Sequence, residues 1–153
     1  MMPQDLNRLR DLSLAEKLSR VSRLWKMVAD RELEPLGLTH PRWTALWKLQ
    51  RLDDNVSQKQ LAEALEIELA SLMRTLNQLE EQALITRHCC ASDKRARIVT
   101  LTDNGRALLT QMENRIMQIH RQLLSQIDDD ELNKMNQLLD QIAHNALNTL
   151  HSH

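Results

Sequence analysis

"SQKQLAEALEIELASLMRTLNQLEEQALITRHCCASDKRARIVTLTDNG" occupies residues 57–105, and its changes of period decide the fold. Ser57 followed by Gln60 makes a capping box, with Val56 placed to staple onto Leu61, so a short helix starts here and ends near Leu65. "EIE" turns the chain. A second helix is expected from about Leu69 to Gln82, with Leu69, Leu72, Met73, Leu76 and Leu79 as its apolar face. The opposite face carries Ser71, Arg74, Thr75 and Gln78, expected to be polar and exposed. From Ile85 the period shortens. "LITRHCC" and "ARIVTLT" contain β-branched residues and are too short for helices, which gives two strands joined by "ASDKRA". Thr102 then caps another helix, with Asp103 in the first turn, where the helix dipole favours an acid.

Upstream, Leu14, Leu18, Val21, Leu24, Trp25 and Val28 recur at helical spacing over residues 14–34, until Pro35 and Gly37 stop the helix. Thr39 is positioned to cap a helix over 40–51 that has Pro41 in its first turn and holds Trp43, Leu46 and Trp47. Downstream, Leu108, Leu109, Met112, Ile116, Ile119, Leu123 and Ile127 carry a stripe to about residue 127. "DDDE" opens a last helix through Leu132, Met135, Leu138, Leu139, Ile142 and Leu150. The expected class is mainly α with a small β-hairpin, in a single domain.

Composition agrees and narrows the function. The 153 residues include two Gly, three Pro and no Tyr or Phe, against many strong helix formers. No stretch approaches the ~18 apolar residues of a membrane span. The N-terminal "MMPQDLNRLRDLSLAEK" lacks the apolar core of a signal peptide, so a cytoplasmic location is expected. Adjacent Cys89 and Cys90 make no disulfide framework, which fits a reducing compartment. Arg87 and His88 are near enough to lower a thiol pKa, but the plainer reading of both cysteines is filler. The histidines (His40, His88, His120, His144, His151 and His153) lack the i, i+4 pairing of metalloprotease helices, and two cysteines do not complete a zinc site. With no Gly-rich phosphate loop, paired carboxylates or Ser-His arrangement, neither catalysis nor a cofactor nor a metal is expected.

A short capped helix, a turn, a helix with one polar face and a basic hairpin together form the layout of a winged helix-turn-helix. In that layout the second helix enters the major groove. Arg74 has the geometry for two hydrogen bonds to guanine, and Ser71, Thr75 and Gln78 offer shorter contacts. The hairpin brings Lys94, Arg95 and Arg97 to the DNA backbone or minor groove. Taken singly, each element also reads as ordinary solvated surface. The net charge of -1 argues against unspecific coating of nucleic acid but not against a local patch. The competing class is a winged-helix module that binds protein.

The chain resembles the MarR family of bacterial transcription regulators, and within it the SlyA-like members. "LEPLGLTHPRW" and the opening stretch carry the resemblance, which covers roughly residues 14 to 150. "RTLNQLEEQALITR" followed by "SDKRARIVTLTDNG" is its most specific part. The resemblance implies a winged lobe over 39–101 and a homodimer built from helices in 1–38 and 102–153. It implies an operator of two half-sites, with Arg74 in the major groove and Arg95 in the minor groove steadied by Asp93. It also implies a pocket for small aromatic carboxylates between bundle and lobe, where Arg20, Arg23, Trp43 and Trp47 fall. An arginine beside indole suits a phenolic acid. The other reading makes the tryptophans core and pairs the arginines with acids. Ala70, where SlyA-like proteins usually carry proline, and Lys94, where a second arginine is common, depart from the pattern and bear on the operator sequence.

Overall fold

The computed structural model describes residues 8–89 and 97–152. The chain divides into two compact units, Met1–Ile119 and His120–His153. The elements in chain order are α1 (Leu14–Leu33), a 3-10 turn (Glu34–Leu36), α2 (His40–Arg51), β1 (Val56–Ser57), α3 (Gln58–Leu65) and α4 (Leu69–Glu81). There follow β2 (Ile85–Cys89), β3 (Arg97–Leu101), α5 (Asp103–Leu123) and α6 (Asp129–His151).

The expected helix starts are present where the side chains demand them. Ser57 accepts from the backbone of Gln60 at 3.0 Å while Gln60 accepts from the Ser57 backbone at 2.9 Å, closing the capping box of α3. Asp128 and Glu131 close a second box at the start of α6. Thr39 stands at the start of α2 without a side-chain capping bond, and its hydroxyl instead accepts from Arg42 Nε at 3.0 Å. Glu66, at φ 57, ends α3 in the left-handed region, a conformation that disfavours any residue with a Cβ.

In the first unit, α2, α3 and α4 pack around Leu46, Leu49, Leu61, Leu72, Leu76 and Leu79, joined by Leu33, Ile85, Val99, Leu109 and Met112. Each such side chain removed from water is worth roughly 1.5–3 kcal/mol, so this cluster holds the lobe together. Among the described residues the sheet has three antiparallel strands in the order β1-β3-β2. Ile85 pairs Leu101 and Cys89 pairs Arg97, while Val56 pairs Val99 on the other edge. The two residues of β1 are too few to show a period, so this strand is not among those expected from sequence.

Thr102 fastens the end of the hairpin to the start of α5. Thr102 Oγ1 donates to Ala83 O at 2.6 Å and accepts from the Gly105 backbone at 3.0 Å, which caps the helix as expected. A Cβ on Gly105 would collide with Leu84 O, so this approach admits only glycine.

In the second unit, α5 ends at Leu123, earlier than the stripe to residue 127 suggested. Gln126 lies at φ 68, and Asp128 already belongs to the cap of α6. None of the residues of α6 is buried. Among the described residues, no helix is long and apolar enough to cross a membrane.

Candidate nucleic-acid interface

The leucines fix which way α4 faces. Leu72, Leu76 and Leu79 are buried, and Thr75 falls in the same arc of the helix, only 7% exposed. Its hydroxyl donates back to Ser71 O at 3.4 Å, the usual way a threonine is satisfied inside a helix. Thr75 therefore does not belong to the exposed polar face on which the sequence placed it. Leu69 and Met73, expected in the core, are each 42% exposed. The outward face carries Ala70, Arg74 and Asn77, with half-buried Ser71 and exposed Gln78 on one flank. Arg74 Nη2 lies 3.4 Å from Ser71 Oγ, so its guanidinium remains over the N-terminal half of the helix.

Orientation of α4 against the hairpin depends on Arg87, from β2. Its guanidinium donates to Gln58 Oε1 at 3.3 Å, to Asn77 Oδ1 at 2.5 Å and to Glu80 Oε1 at 3.1 Å. One side chain, 14% exposed, thus joins α3, α4 and the sheet. The hydrogen bond from Arg87 holds the Glu80 carboxyl below its ordinary range, partial desolvation opposes this, and the charges of Arg87 and Arg97 add to the lowering. Nothing local in the sequence assigns Arg87 to this tie. A general signal exists: Arg87 shares strand parity with inward Ile85, and a charge at an inward position requires partners.

A second fastening holds β1 and β3. Asp53, Asp54 and Asn55 all have positive φ, tolerated best by short polar side chains. Asp54 Oδ1 accepts from the Leu101 backbone at 2.9 Å, and its other oxygen lies 3.3 Å from Arg106 Nη2. Asn55 Oδ1 accepts from Thr100 Oγ1 at 2.7 Å. These ties hold the Thr100–Leu101 end of β3, while Arg97, exposed, lies at the other end of the strand, opposite Cys89. The expected wing-tip residues Asp93, Lys94 and Arg95 lie outside the described residues, as does Cys90; Cys89 is a free, exposed thiol.

One of the expected small-molecule residues, Trp43, lines a cleft beside α4. The cleft, of about 810 Å³, is lined by Trp43, Lys26, His40 and Ile67 and by Ser71, Arg74, Thr75 and Gln78 of α4. Of Arg20, Arg23, Trp43 and Trp47, only Trp43 lines it. Arg20 and Arg23 are exposed on α1, while Trp47 packs against the core. Asp30 Oδ1 holds the cleft wall, accepting from Trp43 Nε1 at 2.8 Å and lying 2.7 Å from His40 Nδ1. The two rings meet edge to face at 5.4 Å. Among the described residues, no group of histidine, cysteine and acidic side chains is arranged to hold a metal ion.

The sequence pattern of the MarR family matches residues 36–96. The solved transcriptional regulator PA3341 is 33% identical, the match covering 89% of this chain and 99% of that one at a TM-score of 0.82. CouR from Rhodococcus jostii RHA1, solved bound to p-coumaroyl-CoA, is 26% identical, with 88% and 94% covered and a TM-score of 0.76. S. aureus MepR, solved as a complex with DNA, shares the fold at a TM-score of 0.79, with 24% identity and 88% and 99% covered.

Proposed function

The chain belongs to the MarR family of transcriptional regulators, and from that premise we propose that it binds a pseudo-palindromic operator in duplex DNA as a homodimer. The observation that carries this reading is the exposure of Arg74 on a helix whose opposite side is fixed by Leu72, Leu76 and Leu79. Arg74 reads a guanine edge from the major groove, with Ser71 and Gln78 beside it. Arg97, with Lys94 and Arg95 of the wing and Asp93 orienting Arg95, meets the phosphates and the minor groove. Thr75, buried in its own helix, supports Ser71 and makes no base contact.

In this reading residues 39–101 form the DNA-binding lobe, and 1–38 with 102–153 supply the dimer helices. The apolar side chains that α6 leaves exposed, Met135, Leu138, Leu139, Ile142, Leu147 and Leu150, support the dimer. Two recognition helices related by a twofold axis require half-sites about one helical turn apart, ~34 Å. The SlyA-like subtype and the cytoplasmic location follow from the resemblance of the wing sequence and from the proposed chromosomal target.

The effector class is a small aromatic carboxylate, supported by the cleft that Trp43 shares with Lys26 and Arg74. The p-coumaroyl-CoA bound to CouR, a thioester with no free carboxylate on its aromatic acid, supports only the aromatic part of that class. Arg20, Arg23 and Trp47 stand outside that cleft and rest on the resemblance alone. Bound in it, such a ligand lowers operator affinity by coupling. Salicylate that leaves both tryptophan fluorescence and operator affinity unchanged rules this effector out.

Selection from a random duplex pool, followed by anisotropy titrations at several salt concentrations, tests the DNA reading. Arg74→Ala is expected to lose ~1–3 kcal/mol on the selected operator and to relax one position in each half-site. Arg95→Ala is expected to weaken operator and random duplex together and to flatten the salt dependence of both. A wild-type protein with no preference for any duplex points instead to a winged-helix module for protein partners.

A further inference from the structure

Leu69 and Met73 are the anomaly on α4. Both are large and apolar, both stand 42% exposed, and neither is needed to close the core that Leu72, Leu76 and Leu79 complete. They are one helical turn apart (i, i+4), so their side chains are neighbours on one edge of the helix. That edge adjoins the outward face of Ala70 and Arg74, in the first two turns of the element proposed to enter the major groove. In helix-turn-helix proteins these N-terminal turns contact base edges.

In the major groove the base-edge group that rewards an apolar side chain is the 5-methyl of thymine. A pair of side chains with no hydrogen-bonding group has little to gain from guanine or adenine edges there. Met73 adds an unbranched, polarisable tip able to adapt to small shifts of the helix in the groove. Its neighbour in sequence is Arg74, so a methyl contact by Met73 falls beside the guanine that Arg74 reads. Four residues of helix rise ~6 Å, close to two base steps of ~3.4 Å each.

We infer that Leu69 and Met73 are specificity-determining residues that contact thymine 5-methyl groups flanking the guanine read by Arg74. The inference rests on the DNA-binding reading above and adds to it a requirement for methyl groups rather than for a hydrogen-bonding pattern. Half-sites should accordingly carry thymines within about two base steps of each other next to that guanine.

The test uses the full-length protein and the duplex selected from the random pool. Each half-site thymine near the guanine is replaced in turn by deoxyuridine, which removes the methyl and leaves every hydrogen-bonding group in place. Wild type is expected to lose about fourfold in affinity at each contacted thymine, equivalent to ~0.8 kcal/mol for one methyl group. Leu69→Ala and Met73→Ala are each expected to erase the loss at one thymine while keeping the loss at the other. Met73→Gln, which keeps the length of the side chain and makes its end polar, is expected to lose the same discrimination as Met73→Ala. Circular dichroism establishes that each variant is folded, and both positions are exposed enough for substitution to leave the core intact. Equal wild-type affinity for thymine and deoxyuridine duplexes overturns the inference while leaving DNA binding standing. The same holds if both alanine variants keep the wild-type discrimination at every thymine. Failure of wild type to prefer the selected duplex over random DNA overturns the DNA reading itself, and this inference with it.

Discussion

Helices α4 and α6 are both amphipathic, with leucines at three- and four-residue spacing, yet they end differently. α4 buries Leu72, Leu76 and Leu79 against α2 and α3 of its own lobe, whereas no residue of α6 is buried. An apolar stripe therefore announces that a helix needs a partner, and leaves open whether the same chain provides it. For α4 the partner is intramolecular. For α6 we have proposed a second copy of the chain.

The strongest way to stress this contrast is to damage the satisfied stripe. Leu76→Ala removes a side chain with no exposure, and is expected to cost ~2–5 kcal/mol in chemical denaturation at fixed protein concentration. A loss well below 1 kcal/mol would mean that the core around α4 is loose.

The unsatisfied stripe should respond through concentration. Ile142→Asp places a charge on the apolar edge of α6, and in the proposed dimer it is expected to raise the dissociation constant by at least about tenfold. Sedimentation at micromolar concentration reads this directly, and the melting temperature of wild type should rise with concentration more steeply than that of the variant. If wild type is itself a folded monomer at that concentration, the proposed partner of α6 is wrong.

The smallest effect sharpens the α4 side alone. Glu80, with its carboxyl pKa lowered by Arg87, favours the folded state above the ordinary glutamate value of 4.5. That contribution is lost as pH falls from 4.5 through the lower folded value, because the folded form then gives up its charge later than the unfolded one. Glu80 is 43% exposed, so solvent screening keeps the effect below about 1 kcal/mol. The stability gap between wild type and Glu80→Gln should narrow on acidification. A gap that stays constant with pH would show that the carboxylate charge is not what Arg87 uses.

Much of this fold was legible because its signals are local. The capping box of Ser57 and Gln60, the change of period at Ile85 and the Thr102 cap each lie within a few residues of what they determine. The face of α4 was less legible. Counting apolar residues centred its stripe too near Leu69 and Met73, whereas packing against α2 and α3 selects the arc of Leu72, Thr75, Leu76 and Leu79. A threonine passes into that arc because its methyl tolerates burial and its hydroxyl bonds to its own helix. The ties made by Asp54, Asn55 and Arg87 were not legible as pairs. Asp54 and the Leu101 backbone are 47 positions apart, and no local pattern links them.

The chain contains only two glycines, and drift in sequence is closed to each for a different reason. Gly37 has open space around its missing side chain but sits at φ +76, where the handedness of the backbone is the obstacle. Gly105 meets a wall, the carbonyl of Leu84, which also accepts from the Thr102 backbone at 3.1 Å. A lineage that replaced Gly105 by alanine would keep every residue proposed to face the groove and still displace the hairpin from α5. In the proposed reading, loss of operator recognition would thus arise at a position outside the proposed DNA-contacting residues.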